Sequence, residues 1–149
     1  MLKKILGYWG KPRYTSTSDI IGDGAIICPV PFGTINLGDH LNPSNQSLAN
    51  KALEYQGLLG CKLGLQWEFY GLSDNAVVVG RPGGYINTLE YFQLLKKEVG
   101  TVRILILAHP LHAMRCRWVA EKLGFEVVGI LDPGQVPYSP VNAHRQVRN

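Results

Sequence analysis

The stretch that decides the fold is Thr101-Val-Arg-Ile-Leu-Ile-Leu-Ala108, followed directly by His109-Pro-Leu-His-Ala-Met-Arg115. Its first part is an apolar run of strand length without polar alternation, which is typical of a strand covered on both faces. The run ends abruptly in two histidines, a proline and an arginine, and a helical pattern begins there. We therefore predict a strand, a tight turn and a helix that extends from about residue 110 to residue 123.

Four further apolar segments lie on either side of this unit. Their length and flanking glycines predict strands at residues 25–30, 63–69, 76–79 and 125–131. Only about six residues separate the second of these strands from the third, whereas a parallel crossover needs roughly a dozen. These two segments either pair as a hairpin or include one that is not a strand.

Two more helices are indicated by their start signals. Asn42-Pro43 supplies a capping side chain and a proline for the first helical position, and Gly60 ends that helix. Asn87-Thr-Leu-Glu90 reads as a capping box, with Asn87 as the cap and Glu90 reaching back to it. The apolar face predicted for this second helix consists of Leu89, Phe92, Leu95 and Val99.

The alternation of these elements predicts an α/β protein. We expect a three-layer Rossmann-like fold in which a mostly parallel sheet of four to five strands carries helices on both faces. A chain of 149 residues fits a single domain, 1–149. Within it, residues 1–24 are expected to be an irregular N-terminal segment, and residues 133–149 form a polar C-terminal tail whose packing the sequence leaves open.

Composition and charge narrow the function classes. The 46% content of hydrophobic residues is that of a globular domain, and no stretch approaches the length of a membrane span, so we expect no membrane partner. The three cysteines match neither a disulfide framework nor a metal knuckle, which favours a cytoplasmic location. The net charge of +4 permits an anionic partner.

His109, His112 and Arg115 are the first candidate site residues. A buried strand does not need them, and in an open α/β sheet ligands bind outside the carboxyl ends of the strands. Two histidines three positions apart are too few for a metal site without a third ligand, so we expect no metal. His109 has a second interpretation, because it could simply cap the helix that follows it.

An anion is the ligand that these residues suit best. His112 and Arg115 lie on one face at the start of a helix, where the dipole and the amide groups already favour negative charge. The loop at residues 31–38 contains Gly33 and could present further amide groups. Asn87, Thr88 and Glu90 open the preceding helix, and capping is a sufficient explanation for Asn87 and Glu90. The functional alternative is that Asn87 and Thr88 point into the same crevice as His112.

Residues 76–128 resemble the SanA/YdcF-like proteins, a family long catalogued as a domain of unknown function. One part of the family signature, Asn-Thr-x-Glu-Asn at a helix start, is matched by residues 87–91. The other part, Ser-x-x-His-Met-x-Arg-Ala after a hydrophobic strand, is matched by residues 109–116. His109 takes the place of the family's serine, and Tyr91 that of its second asparagine.

The resemblance implies a Rossmann-like fold with a polar pocket at the carboxyl edge of the sheet. It carries over Asn87, Thr88, Glu90, His112 and Arg115 as pocket residues. One branch of the family has been associated with binding of S-adenosylmethionine, which makes that compound the cofactor that the resemblance suggests. Cell-envelope roles have been associated with another branch, and no reaction is settled for the family as a whole.

Three functions follow from this reading. The first is a small-molecule-binding domain that holds a nucleotide-like or adenosyl ligand against Gly33, Asn87, Thr88, His112 and Arg115. The second is a hydrolase or transferase on a phosphorylated or sugar-linked substrate, with His112 as general acid or base and Arg115 stabilising developing charge. The third is a non-enzymatic interaction module. No cluster of Lys and Arg with interleaved aromatic residues supports nucleic acid as its partner.

Overall fold

The computed structural model describes residues 10–20, 24–31, 36–37, 40–41, 43–81 and 86–136. Its strands and helices are, in chain order, β1 Ile26–Val30, β2 Asn36–Leu37, β3 His40–Leu41, α1 Pro43–Leu59, β4 Leu63–Gln66, β5 Ala76–Val79, α2 Thr88–Val99, β6 Arg103–Ala108, α3 Ala113–Lys122 and β7 Glu126–Leu131. Short 3₁₀ turns occupy Thr17–Asp19 and Trp67–Phe69.

Five of the strands form one parallel sheet in the order β5-β4-β1-β6-β7. The predicted α/β class and mostly parallel sheet are therefore confirmed. The chain adds strands outward from β1 in one direction and then returns to add β6 on the other side of β1. This reversal makes the fold Rossmann-like and places its topological switch point between β1 and β6. The antiparallel pair of β2 and β3 was not predicted.

The strand side chains alternate between two hydrophobic clusters, because successive residues of a strand point to opposite sides of the sheet. In β6, Ile104 and Ile106 belong to a cluster that includes the buried residues of α2 and α3. Leu105 and Leu107 belong to a second cluster, which includes the buried residues of α1. The two helices that open at the candidate site thus pack together against one set of strand residues.

Both alternatives for the second and third predicted strands, a hairpin or a segment that is not a strand, are wrong. β4 and β5 both form, but they pair in parallel, with Leu63 opposite Ala76 and Gln66 opposite Val79. The prediction failed because β4 ends at Gln66, three residues earlier than expected, and the chain then turns through Trp67–Phe69. The longer connection that results can carry the chain back to the start of a parallel neighbour.

Helix starts differ in how closely they follow their sequence signals. Pro43 is the first residue of α1, as predicted, while Asn42 lies outside the described residues. α3 begins at Ala113 rather than near residue 110, because a tight turn precedes it. In α2 the expected core residue Leu89 is exposed, and the core position is taken by Tyr91, whose hydroxyl donates to the carbonyl of Gly64 at 2.7 Å.

The outer edge of β7 is covered by the segment before β1. The backbone N–H of Thr15 donates to the carbonyl of Ile130 at 2.8 Å, and the Thr15 hydroxyl accepts from the Ile130 N–H at 3.3 Å. Gly129 permits this close approach, since a Cβ there would lie 2.5 Å from the Thr15 hydroxyl oxygen. Thr15 thereby pairs with backbone groups that would otherwise lack a hydrogen-bond partner at the edge of the sheet.

The start of the predicted C-terminal tail packs against α1. The Tyr55 hydroxyl donates to the carbonyl of Asp132 at 2.7 Å, and the Ser47 hydroxyl donates to the carbonyl of Gln135 at 3.4 Å. The predicted segments at residues 1–9 and 137–149 lie outside the described residues. In the part of the chain that the structure describes, no helix has the length and apolar character needed to cross a membrane.

Candidate functional site

The candidate site lies at the carboxyl edge of the sheet, where two helices begin side by side. His109 follows the last residue of β6 directly, and α3 starts four residues later. α2 starts at Thr88, and the Thr88 hydroxyl lies 3.2 Å from Nε2 of His112 in a buried hydrogen bond. This bond joins the first turns of α2 and α3 next to the switch point between β1 and β6.

His109 shapes the turn that leads into α3. Its ring Nδ1 accepts the backbone N–H of Leu111 at 3.1 Å, and its carbonyl accepts the N–H groups of His112 and Ala113. Burial lowers the pKa of His109, and a ring that accepts at Nδ1 carries its proton on Nε2. His109 therefore holds the turn before α3 and does not cap the helix, whose N-cap residue is His112. The role of His109 in binding stays a prediction.

His112 is the most deeply buried polar residue of the site, with 3% of its surface exposed. Burial, with smaller contributions from the Arg115 guanidinium and the His109 ring, lowers the pKa of His112 to about 3. The ring is consequently neutral at physiological pH. A neutral imidazole donates one hydrogen bond and accepts one, and Thr88 takes part in one of them.

Arg115 brings the positive charge of the site. It is the third residue of α3 and is half-buried. Arg115 follows the N-cap residue His112 by three positions, a spacing that puts two side chains on the same face of a helix. Its positive charge contributes to lowering the pKa of His112. The cation therefore stands beside two helix N-termini, all of which favour an anion at this place.

The other predicted site residues are Asn87, Glu90 and Gly33. Asn87 caps α2, because its Oδ1 accepts the N–H of Glu90 at 2.8 Å. The reciprocal half of the capping box is absent among the described residues, and the exposed Glu90 side chain instead lines a groove of about 430 Å³ between α2 and β5. The structure thus brings Thr88, His109, His112 and Arg115 together and leaves Glu90 outside. Gly33 lies outside the described residues.

Sequence reasoning missed Gln66, the last residue of β4. Gln66 is only 3% exposed, and its Oε1 is buried without a hydrogen-bond partner in the described part of the chain. Glu68, two residues further on, also has a buried oxygen without a partner among the described residues. The sequence signal for Gln66 is weak, because Gln66 is one of the polar residues of a predicted strand that alternates apolar and polar residues.

Metal-binding and thiol chemistry find little support in the described residues. No group of three or more His, Cys, Asp or Glu side chains comes together there in a way that could hold a metal ion. The three cysteines are buried, and burial raises the pKa of the Cys28 thiol to about 12. A thiol with so high a pKa carries almost no thiolate at physiological pH, which argues against a nucleophilic role for Cys28.

Comparison of the chain with models of protein families, with curated proteins and with solved structures gave no match. The resemblance to the SanA/YdcF-like proteins therefore stays a prediction.

Proposed function

We propose that this protein binds a small anionic ligand of the nucleotide type at the carboxyl edge of its sheet. One observation carries the proposal: the first turns of α2 and α3 meet in the buried Thr88–His112 hydrogen bond, beside Arg115. Two helix N-termini and a guanidinium favour negative charge at the same place, and in sheets of this topology the switch point is where ligands bind.

The alternative of a hydrolase or transferase that uses His112 stays a prediction, and the electrostatics argue against it. A general acid must hold a proton near the operating pH, and the pKa of His112 is about 3. The same low value makes the ring a weak base. A neutral, buried imidazole beside a hydroxyl is better suited to positioning a ligand than to transferring protons.

The proposal is tested by the thermal unfolding of the wild type and variants with added ligands. Inorganic phosphate, AMP, S-adenosylmethionine and S-adenosylhomocysteine are the probes, the last two because of the family resemblance. A ligand that binds only the native state raises the unfolding temperature, and at a hundred times its Kd it stabilises that state by about 2.7 kcal/mol, a gain that grows with the logarithm of its concentration. We expect phosphate and AMP to stabilise the wild type and to lose this effect in Arg115→Gln.

Arg117→Gln is the matched control. Arg117 lies on the same helix, half-buried, in an ion pair with Glu121 at 3.4 Å, and it is not one of the residues placed at the site. This variant should keep the full response to phosphate. Equal losses in both variants would show that the response is a general effect of positive charge, and an unresponsive wild type would overturn the proposed function.

A further inference from the structure

Gln66 is a buried carboxamide with an unfilled acceptor. Its Oε1 has no hydrogen-bond partner among the described residues, although only 3% of the side chain is exposed. Leaving a buried acceptor unsatisfied costs the free energy of its lost hydration, and few buried polar groups in native proteins lack a partner. A hydrogen-bond donor from outside the described residues is therefore expected at this oxygen.

The position of Gln66 in the sheet directs it towards the candidate site. Gly64 faces α2, since a Cβ on Gly64 would lie 3.2 Å from the Tyr91 hydroxyl and 3.3 Å from a methyl of Leu95. Gln66, two residues later, lies on the same side of the strand. α2 begins at the carboxyl edge, so the turn of α2 that precedes Tyr91 lies beyond Gly64 on the Gln66 side. That turn contains Thr88.

Gln66 also belongs to the correct part of the sheet edge. β4 is the direct neighbour of β1, and β1 is one of the two strands that flank the switch point. Thr88, which bonds to His112, is buried like Gln66. The buried acceptor thus lies on the same face and at the same edge as the two helix starts that favour an anion.

Glu68, two residues along the chain from Gln66, has a second buried acceptor oxygen. Its Oε2 is buried without a partner in the described residues, and two residues of chain separate the Cα atoms of Gln66 and Glu68 by no more than about 7 Å. An ammonium group could donate to such oxygens, but the neighbouring helix N-termini and Arg115 disfavour a cation. Hydroxyl groups donate a hydrogen bond without adding positive charge. They therefore suit both the buried acceptor oxygens and the neighbouring helix N-termini.

We infer that the ligand is a phosphorylated compound bearing hydroxyl groups, a sugar phosphate or the ribose phosphate of a nucleotide, and that Gln66 accepts a hydrogen bond from one of its hydroxyls. This inference rests on the proposed function, because the phosphate is held by the helix starts and Arg115. It adds a specificity-determining residue, Gln66, to that site.

Calorimetric titration with two matched ligands tests the inference. Ribose 5-phosphate and n-pentyl phosphate have the same carbon count and the same phosphate, and only the first has hydroxyl groups. We expect ribose 5-phosphate to bind at least about tenfold more tightly to the wild type, the equivalent of one net hydrogen bond. Gln66→Met should abolish this difference and leave the affinity for inorganic phosphate unchanged, while Gln93→Met, an exposed position on α2, should preserve both.

The outcomes separate the inference from the proposed function. Equal binding of the two ligands to the wild type, with phosphate still bound, would overturn the inference alone and assign the donor at Gln66 to water. If neither ligand nor phosphate binds, both proposals fail. The wild-type comparison decides the matter even if Gln66→Met does not fold. AMP, added as a third titrant, should match or exceed ribose 5-phosphate if the source is a nucleotide, and weaker binding of AMP would identify a free sugar phosphate.

Discussion

At the scale of single residues, the site is defined by a histidine that is kept neutral. His112 is buried between the first turns of two helices, and its proton affinity is reduced mainly because a buried charge would lose its hydration. Arg115 adds a positive charge nearby, which acts in the same direction. The consequence is a polar contact whose hydrogen bonds do not change across the physiological pH range.

The buried state of His112 predicts how stability depends on pH. The unfolded chain protonates His112 near pH 6.5, whereas the folded chain does so near pH 3. The stability that comes from the neutral ring is therefore complete above about pH 6.5 and is lost as the pH falls towards 3, by about 1.4 kcal/mol per pH unit. Urea unfolding at about pH 7 and about pH 5 should give a steeper loss for the wild type than for His112→Gln.

The comparison of wild type and variant cancels what the carboxylates and His109 contribute to the pH dependence of stability. The pKa of His109 is also lowered by burial. An identical pH dependence in the two proteins would mean that the pKa of His112 is the same in the folded and unfolded states. Histidine NMR signals provide an independent check, because the ring of His112 should not titrate between about pH 5 and pH 8.

The Thr88–His112 hydrogen bond predicts a second effect, on stability alone. Thr88→Val keeps the shape of the side chain and removes the hydroxyl that lies 3.2 Å from Nε2 of His112. The free energy of unfolding should fall by about 1–2 kcal/mol, as for other buried hydrogen bonds. Thr88→Ser retains the hydroxyl and should recover most of this loss in urea unfolding. A Thr88→Val variant as stable as the wild type would contradict the geometry of the site.

At the scale of secondary-structure elements, the sequence predicts most of the sheet correctly. Uninterrupted apolar runs indicate β1 and β6 because both strands are covered on each side. The partner of β4 was not predictable in this way. Its pairing with β5 depends on where the chain leaves the strand, and Trp67 and Phe69 of the 3₁₀ turn continue the apolar–polar alternation of the strand, which hides its end.

The candidate site could be predicted from the sequence only in part. His109, His112 and Arg115 interrupt an apolar pattern at one point of the sequence, so their position at a strand end is visible there. Gln66 escapes detection because it continues a strand that already alternates apolar and polar residues. In α2, helical spacing alone favours Leu89 as a core residue, and only the contact with Gly64 of β4 explains why Tyr91 is buried instead.

The packing of α2 on β4 predicts that Gly64 cannot be replaced by a larger residue without cost. A methyl group at Gly64 would lie 3.2–3.3 Å from side-chain atoms of Tyr91, Ile26 and Leu95. Gly64→Ala should lower the free energy of unfolding by about 1–3 kcal/mol, which urea unfolding measures. Gly57→Ala in α1 is the matched control, since nothing lies within 4 Å of its Cβ position.

The control should be as stable as the wild type or more stable by up to about 1 kcal/mol, because alanine favours the helix. If Gly64→Ala were to behave like Gly57→Ala, the close contact between α2 and β4 would not exist in solution.

At the scale of the whole molecule, β6 contributes core residues to both hydrophobic clusters. Its consecutive residues Ile106 and Leu107 are both fully buried, the first among residues of α2 and α3 and the second among residues of α1. Loss of packing on either side must therefore disturb the same central strand. The molecule is expected to unfold in a single cooperative transition.

Substitution of Ile106 and of Leu107 tests whether the molecule unfolds in a single cooperative transition. Ile106→Ala and Leu107→Ala should each lower the free energy of unfolding by about 2–5 kcal/mol, with the same dependence on urea concentration as the wild type. Arg103→Ala removes an exposed side chain that pairs with Glu126 at the start of β6, and it should cost no more than about 1 kcal/mol. Two separate transitions, by circular dichroism and tryptophan fluorescence, would show that the clusters unfold independently.

The cover that Thr15 provides over β7 also limits how these molecules can associate. A sheet grows into a fibre only if each molecule offers two open edges, one to receive a neighbour and one to present to the next. Thr15 pairs with the backbone groups of Ile130, so at this position of β7 the five-stranded sheet offers no open backbone groups to another copy. A copy that pairs through the β5 edge therefore meets a blocked position at the other edge of the same sheet, which hinders open-ended polymerisation.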